Sequence, residues 1–418
     1  MGSSVKKTVL PSGLRIVSEK ITSIRSVAIG IWVDVGSRDE SEGQLGVSHL
    51  IEHMHFKGTR KRSASKVAED IERLGGSLNA FTTREQTCYY ARTLDEHLPE
   101  AIDVLSDMLM NSTFTPTNFK REKKVVLEEI KENDDTPSEV VHDIFAEKFW
   151  GGSSLSHAIL GGASDIEKMT RKTALDYVKD HYNASNVVVS VSGNMDHDKL
   201  VSLVKRKLKF PKGSLAKTKE ALYPTKAKVH AVERDIAQTH FILGFPSVQF
   251  DHKLRFAALC LNFYLGGGMS SVLFQEVREK RGLAYSIYTF QDFYRDVGTF
   301  GVCFSSDAKN VQQSLDLILK RLRKVKTTKL AESDMRKVRA QIKGSLTFSM
   351  ESATGRMNRL ARHELMLGKY NSLKKSFALV DKLTASDVLN AAQFIFDESR
   401  MIAVSLGPIA VKDFSPGK

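Results

Sequence analysis

Cysteine is scarce. Cys88, Cys260 and Cys303 lie far apart, form no CxxC pair and make no even set. That excludes a disulfide framework and points to a reducing compartment, with all three thiols expected as small buried hydrophobes. No run of about 18 apolar residues occurs, which excludes a membrane-spanning helix by the usual length criterion. The opening residues are too short and too broken by Pro11 to form a signal-peptide core, so a cytoplasmic location is expected. Basic residues outnumber acidic ones by 62 to 49, giving a net charge of +13. Yet there is no zinc-finger spacing, no RNP-like aromatic motif and no basic helix with flanking heptads. The basic clusters at 205–209 and 320–326 alternate with apolar positions, as solvated helix faces do. Nucleic acid is not an expected partner. The run Gly266-Gly267-Gly268 lacks a following Lys-Ser/Thr, which excludes a phosphate loop.

What is present is an ordinary globular composition, 41% hydrophobic and 27% charged, over 418 residues. A chain of that length exceeds one hydrophobic core. Residues 8–19 and 26–35 alternate in polarity and read as strands joined by a turn, as do 77–92 and 186–193. Helical periodicity marks 46–56, 66–74, 98–110 and 118–133. The fold class is therefore α+β, with mostly antiparallel sheets and helices on one face. A weak internal repeat links residues 169–193 to 383–407 at an offset of 214, and 122–130 to 334–342 at an offset of 212. Two similar halves follow, one over 1–212 and one over 229–418, joined by a linker at 213–228. Moving His49, Glu52, His53 and Glu129 by 212 lands on Leu261, Tyr264, Leu265 and Gln341. Only the first half can carry a metal.

The metal reading starts from His49-Leu50-Ile51-Glu52-His53. Val47, Leu50, Ile51 and Met54 form one helical stripe, and His49, Glu52, His53 and Phe56 form another. Histidines at i and i+4 point the same way one turn apart, which suits two ligands of a tetrahedral zinc. Glu52 stands between them on the same side, where it can act as a general base. The alternative is a pair of exposed histidines beside a surface glutamate. A third donor is sought among Glu122 to Glu132, where Glu122 and Glu129 project towards the apolar side of a helix. Carboxylates in such a stripe are costly unless paired or metal-bound. A salt-bridged helix edge is the competing explanation. His97, His142 and His240 have no ligand-like spacing and read as structural.

HxxEH with a glutamate 76 positions beyond the second histidine resembles the inverted-motif zinc peptidases of the pitrilysin clan, family M16. Within it, the likeness is to the mitochondrial processing peptidase β-subunit and its bacterial relatives. The resemblance spans nearly the whole chain through Leu10-Pro11-Ser12-Gly13-Leu14-Arg15, His53-Met54-His55-Phe56-Lys57-Gly58-Thr59 and Gly75-Gly76-Ser77-Leu78-Asn79-Ala80-Phe81-Thr82. It continues through Leu265-Gly266-Gly267-Gly268-Met269-Ser270-Ser271 and Arg278-Glu279-Lys280-Arg281-Gly282-Leu283-Ala284-Tyr285. His55 departs from it, since leucine is commoner there. The resemblance implies a zinc endopeptidase with His49, His53 and Glu129 as ligands, Glu52 as base and Glu122 as a supporting acid. It implies that Asn79 and Ala80 lie on an edge strand that pairs with an extended peptide. Phe56 would line the pocket after the scissile bond, and Arg278 and Tyr285 would reach the substrate carbonyl. Read without the resemblance, Arg278 is a structural ion-pair residue, because Gly282 interrupts the helix needed to align it with Tyr285. Glu139 and Asp143, at i and i+4, match positions that read a basic residue before the cut; a solvated helix face is the alternative. The resemblance further implies a dimer, homo- or heteromeric with a homodimer expected, and two halves enclosing a cleft.

Overall fold

The computed structural model describes residues 4–215 and 220–408. In chain order the first part runs β1 (Ser4–Val9), β2 (Arg15–Lys20), β3 (Ser26–Val33), α1 (Val47–His55), α2 (Ala64–Glu72), β4 (Ser77–Thr82) and β5 (Thr87–Leu94). It continues through α3 (Leu98–Asn111), α4 (Pro116–Asp134), α5 (Pro137–Phe149), α6 (Ala163–Lys168), α7 (Arg171–His181), β6 (Val187–Gly193) and α8 (His197–Lys207). The second part opens with β7 (Lys228–Glu233), β8 (Thr239–Ser247), α9 (Arg255–Gly266), β9 (Ser286–Phe293), β10 (Gly298–Ser306) and α10 (Val311–Thr327). It ends with α11 (Glu332–Ser349), α12 (Ala353–Leu367), α13 (Leu373–Asp381), α14 (Ala385–Ile395) and β11 (Ile402–Gly407).

Two mixed sheets result, in the orders β1-β2-β6-β3-β5-β4 and β7-β11-β8-β10-β9. Pairing is antiparallel except for β2 with β6 and β7 with β11, which are parallel. Apart from the extra edge strand β1, the two sheets have the same order and the same single parallel step. The repeat read from sequence is thus a repeat of topology. It extends to local chemistry. Thr170 caps α7 through Thr173 N–H, and Thr384 caps α14 through Asp387 N–H, at the same offset of 214. Asn183 and Asp397, also 214 apart, each organise the turn into the following strand.

The strands explain how each sheet acquires two packed faces. On β3, Val27, Ile29, Ile31 and Val33 enter the core shared with α1, α3 and α7, whereas Ala28 and Trp32 face a second core containing Met357, Leu360 and Leu365 of α12. The main helices therefore cover one face, and a single helix covers the other. That helix comes from the second part of the chain: Phe348–Tyr370 belongs to the same compact unit as the first sheet. Reciprocally, Asn133–Ser156, with α5, belongs to the unit of the second sheet. There Val141, Phe145 and Phe149 pack on Ile242, Cys303 and Val404. Each unit is thus completed by a helix from the other part, in place of a simple division at the 213–228 linker. Gly30 and Gly244, again 214 apart, make these crossings possible. A Cβ at Gly30 would lie 2.9 Å from Met357 Sδ, and one at Gly244 would lie 2.1 Å from Phe145 Cζ. Full burial of side chains such as Phe145 and Met357 is worth about 1.5–3 kcal/mol each.

Three further readings of the sequence are refined. The stretch 77–92 is a hairpin, broken at 83–86 where Thr83 Oγ1 accepts from Gln86 N–H and donates to Gln86 O. The basic run after Leu203 closes the last turn of α8, where cations interact favourably with the negative end of the helix dipole. All three cysteines are free and buried. Among the described residues no helix is long and apolar enough to cross a membrane.

Candidate metal centre

Helix α1 is only nine residues long, and its apolar stripe seats it: Val47, Leu50, Ile51 and Met54 are all buried. Its start is set by Gly46, in the left-handed region at φ 84°, where a Cβ would strike Leu160 O at 2.4 Å. Gly46 has no side chain to cap the helix. The carboxylate of buried Glu40 does so instead, accepting from Gly46 N–H at 2.7 Å and Ser48 N–H at 2.8 Å. Burial raises the Glu40 pKa, whereas the bonds from Ser48 and Gly46 favour its ionised form.

The opposite stripe turns His49, Glu52 and His53 to one side. The two imidazoles meet edge to face, with ring centroids 4.6 Å apart. Glu129 Oε2 on α4 lies 3.5 Å from His53 Nε2 and 3.8 Å from His49 Nε2. One donor atom from each of these three residues falls within 4.8 Å of the others. Burial, then the neighbouring His53, lowers the His49 pKa to about 4, so its ring is neutral and carries a free lone pair. His49 Nδ1 is buried without a hydrogen-bond partner. Glu52 Oε2 accepts from Thr82 Oγ1 at 2.5 Å. Burial raises the Glu52 pKa, with the Thr82 bond and His53 opposing and Glu129 adding to the rise.

Glu122, one turn of α4 earlier than Val126, is 1% exposed. Its Oε2 lies 3.4 Å from His53 Nδ1 and 3.0 Å from Lys57 Nζ. The buried side of α4 is formed by Phe119, Glu122, Val126 and Ile130, whereas Val125 is exposed. Lys57 and Thr82 escaped the sequence reading. Lys57 stands four residues after His53, a helical spacing that flags it; Thr82 carries no such signal until β4 is placed beside α1.

The other candidates lie as follows. Asn79 and Ala80 sit on β4, an edge of the first sheet, where Ala80 N–H donates to Asn79 Oδ1 at 2.8 Å. Phe56 ends α1 and packs partly against the core. His55 is a core residue: its Nδ1–H donates to Met108 O, 3.0 Å away, amid the rings of Tyr89, Phe114 and Tyr182. Burial lowers its pKa to about 4. In the second unit, the helical turn Phe274–Glu279 stops before Gly282, whose φ of +61° returns the chain. Arg278 and Tyr285 meet without a continuous helix: the guanidinium lies 4.8 Å from the Phe274 ring and 5.8 Å from the Tyr285 ring. Both line a cavity of about 350 Å³ with Gln238, Glu279 and Asp307. On α5, Glu139 is exposed, and Asp143 accepts from Asn133 Nδ2 at 3.1 Å.

The donor set fits zinc. Two imidazoles and a carboxylate are the ligands this ion takes in open sites, and here His49 Nε2 and His53 Nε2 face the same oxygen of Glu129. A further carboxylate, Glu52, stands on the same face of α1 as the two imidazoles, the arrangement a metal-dependent hydrolase needs. Comparison with known proteins specifies the class. Residues 15–163 match the insulinase family (peptidase family M16), and residues 168–342 match the peptidase M16 inactive domain. An uncharacterized zinc protease of Streptomyces coelicolor is 38% identical, over 99% of this chain and 91% of its own. One from Bacillus subtilis is 37% identical over 96% of this chain and 98% of its own. A protease from Helicobacter pylori superposes with a TM-score of 0.91 at 22% identity, covering 97% of this chain and 99% of that chain. The chain belongs to peptidase family M16 and is a zinc metallopeptidase.

Proposed function

We propose that His49, His53 and Glu129 hold the zinc, that Glu52 is the general base, and that the protein is an endopeptidase acting on extended peptides. The observation that carries this reading is the convergence of the three donor atoms within 4.8 Å, with Glu52 on the same face of α1. Bound there, zinc supplies Lewis acidity, polarising a carbonyl and acidifying water enough for attack near neutral pH. Glu52 takes the proton of the attacking water and returns it to the leaving amine. Thr82 occupies Oε2 and so presents Oε1 for that transfer. A carboxyl raised by burial suits the task, because a less acidic carboxyl is the stronger proton acceptor. Glu122 orients His53 through Nδ1, the second-sphere carboxylate that fixes a ligating imidazole.

The peptide is held by strand addition at β4. Thr82 of that strand already touches Glu52, so a strand laid along Asn79 and Ala80 runs beside the metal residues. Phe56 lines the pocket after the scissile bond. Arg278 and Tyr285 bind the substrate backbone, supported by the 72% exposure of Tyr285 and its pairing with Arg278. Glu139 and Asp143 select a basic residue before the cut, as a presequence-like substrate of a processing peptidase has. A homodimer in the cytoplasm completes the reading, in accord with the three free thiols.

The test is zinc content and peptide-library cleavage for the wild type and Glu52→Gln. One zinc per chain in both, with cleavage by the wild type alone, is expected; turnover by Glu52→Gln refutes the role of Glu52. Enrichment of Arg before the cut, lost in Glu139→Gln/Asp143→Asn, is expected for the specificity; equal enrichment in that variant refutes it.

A further inference from the structure

The metal residues stand on a helix too short to hold itself. Nine residues are marginal as an isolated helix, so α1 depends on its surroundings for position as well as existence. The usual device, a side-chain cap immediately before the first turn, is unavailable: that position must be Gly46, whose φ of 84° and contact with Leu160 O admit no side chain. The unpaired N–H groups at the helix start need an acceptor from elsewhere.

Glu40 provides it from six residues upstream. Its two oxygens divide between Gly46 N–H and Ser48 N–H, so the carboxylate grips the backbone on either side of Val47. Ser48 Oγ in turn donates to Tyr177 OH of α7 at 3.1 Å, tying the same turn to a second helix. Ser48 immediately precedes His49. The segment that carries Glu40 also grips the β4–β5 turn. Ser37 N–H donates to Thr83 O, Arg38 N–H to Arg84 O, and buried Arg38 pairs with Glu85 at 2.7 Å. One short segment therefore fixes both the start of α1 and the turn that follows Thr82, the hydroxyl that meets Glu52.

We propose that Glu40 is a positioning residue of the metal centre: by bridging Gly46 and Ser48 it sets α1 so that His49, His53 and Glu52 keep their mutual geometry with Glu129 and Thr82. This rests on the ligand assignment above. A carboxylate is required because two N–H groups need two acceptors. Glutamine offers one, and its amide nitrogen would face a second donor.

The experiment measures zinc affinity by chelator competition, with the melting temperature of the metal-free protein and the kcat and KM for one peptide. Glu40→Gln is compared with wild type and with Ser63→Ala, which removes the cap of α2 (Lys66 N–H donating to Ser63 Oγ) in the same unit. Glu40→Gln is expected to weaken zinc about tenfold or more and lower kcat, with KM within about twofold. Ser63→Ala is expected to lower the melting temperature while leaving zinc affinity unchanged. Wild-type zinc affinity in folded Glu40→Gln overturns the proposal, and so does an equal loss of affinity in Ser63→Ala. Should Glu40→Gln not fold, Glu40→Asp, which keeps the carboxylate but shortens its reach by one methylene, is the deciding variant: a loss of zinc affinity of roughly twofold or more supports the role, and no loss overturns it. Failure of the wild type itself to bind zinc would overturn the ligand assignment instead.

Discussion

Lys57→Met removes the cation that holds Glu122 while keeping most of the unbranched side chain. Glu122 is 2% exposed at its side chain, Lys57 is 34% exposed, and their charged atoms are 3.0 Å apart. At that distance and an effective dielectric of about 20, the Coulomb attraction is about 5 kcal/mol. Water around the partly exposed lysine screens much of it. Removing one partner of a fully buried pair costs about 3–5 kcal/mol, and an exposed pair is worth at most about 1 kcal/mol. Lys57→Met should therefore destabilise the metal-free protein by about 1–2 kcal/mol in urea denaturation at pH 7. Because the same oxygen of Glu122 faces His53 Nδ1, zinc affinity should fall about tenfold as well. A double-mutant cycle isolates the pair. In a Glu122→Gln background, Lys57→Met should cost almost nothing. An equal loss in both backgrounds would refute the reasoning, because the lysine would then act through its packing and not through Glu122.

Acid should act through the Arg62 cluster. Arg62 donates to Asp70, Asp103 and Asp107 at 2.9, 2.6 and 2.8 Å. Burial alone would raise Asp103 and Asp107, but bonds from Lys207 and Arg62 to the first, and from Thr59, Arg62 and Asn111 to the second, hold both below the ordinary value. A lowered folded pKa contributes stability that is present above the unfolded value of about 3.9 and lost as pH falls through the folded one. The metal-free protein should thus lose stability below about pH 4, and Arg62→Gln should flatten that fall; identical profiles would contradict it. Gly244→Ala should cost about 1–3 kcal/mol, because its Cβ would meet the buried Phe145 ring, itself packed on Phe149 and Phe290. A loss under about 0.3 kcal/mol would show that the ring can move aside.

Much of this was legible in the residues, for identifiable reasons. The α1 stripe is visible because Val47, Leu50, Ile51 and Met54 recur at helical spacing and leave His49, Glu52 and His53 on the other side. The duplication is visible because caps and turns carry chemistry, Thr170 with Thr384 and Asn183 with Asp397. The β4–β5 turn was hidden because Thr83 to Gln86 contain no glycine or proline; hydroxyl bonds from Thr83 make the turn instead. The exchange of α5 and α12 was hidden because an amphipathic helix does not say which sheet it covers, and the small contacts at Gly30 and Gly244 are only intelligible once the helices cross them. Arg278 and Tyr285 meet through a left-handed glycine, which periodicity cannot anticipate. Glu40 and Lys57 act through bonds to backbone and to a neighbouring carboxylate, and neither belongs to the HxxEH pattern.

The most direct measurement is a crystal structure of the zinc-loaded protein with anomalous data collected at the zinc absorption edge. One zinc peak is expected, with a ring nitrogen from each of His49 and His53 and a carboxylate oxygen of Glu129 at about 2.0–2.2 Å. A zinc bound elsewhere, with these three side chains uncoordinated, would contradict the assignment of the metal centre.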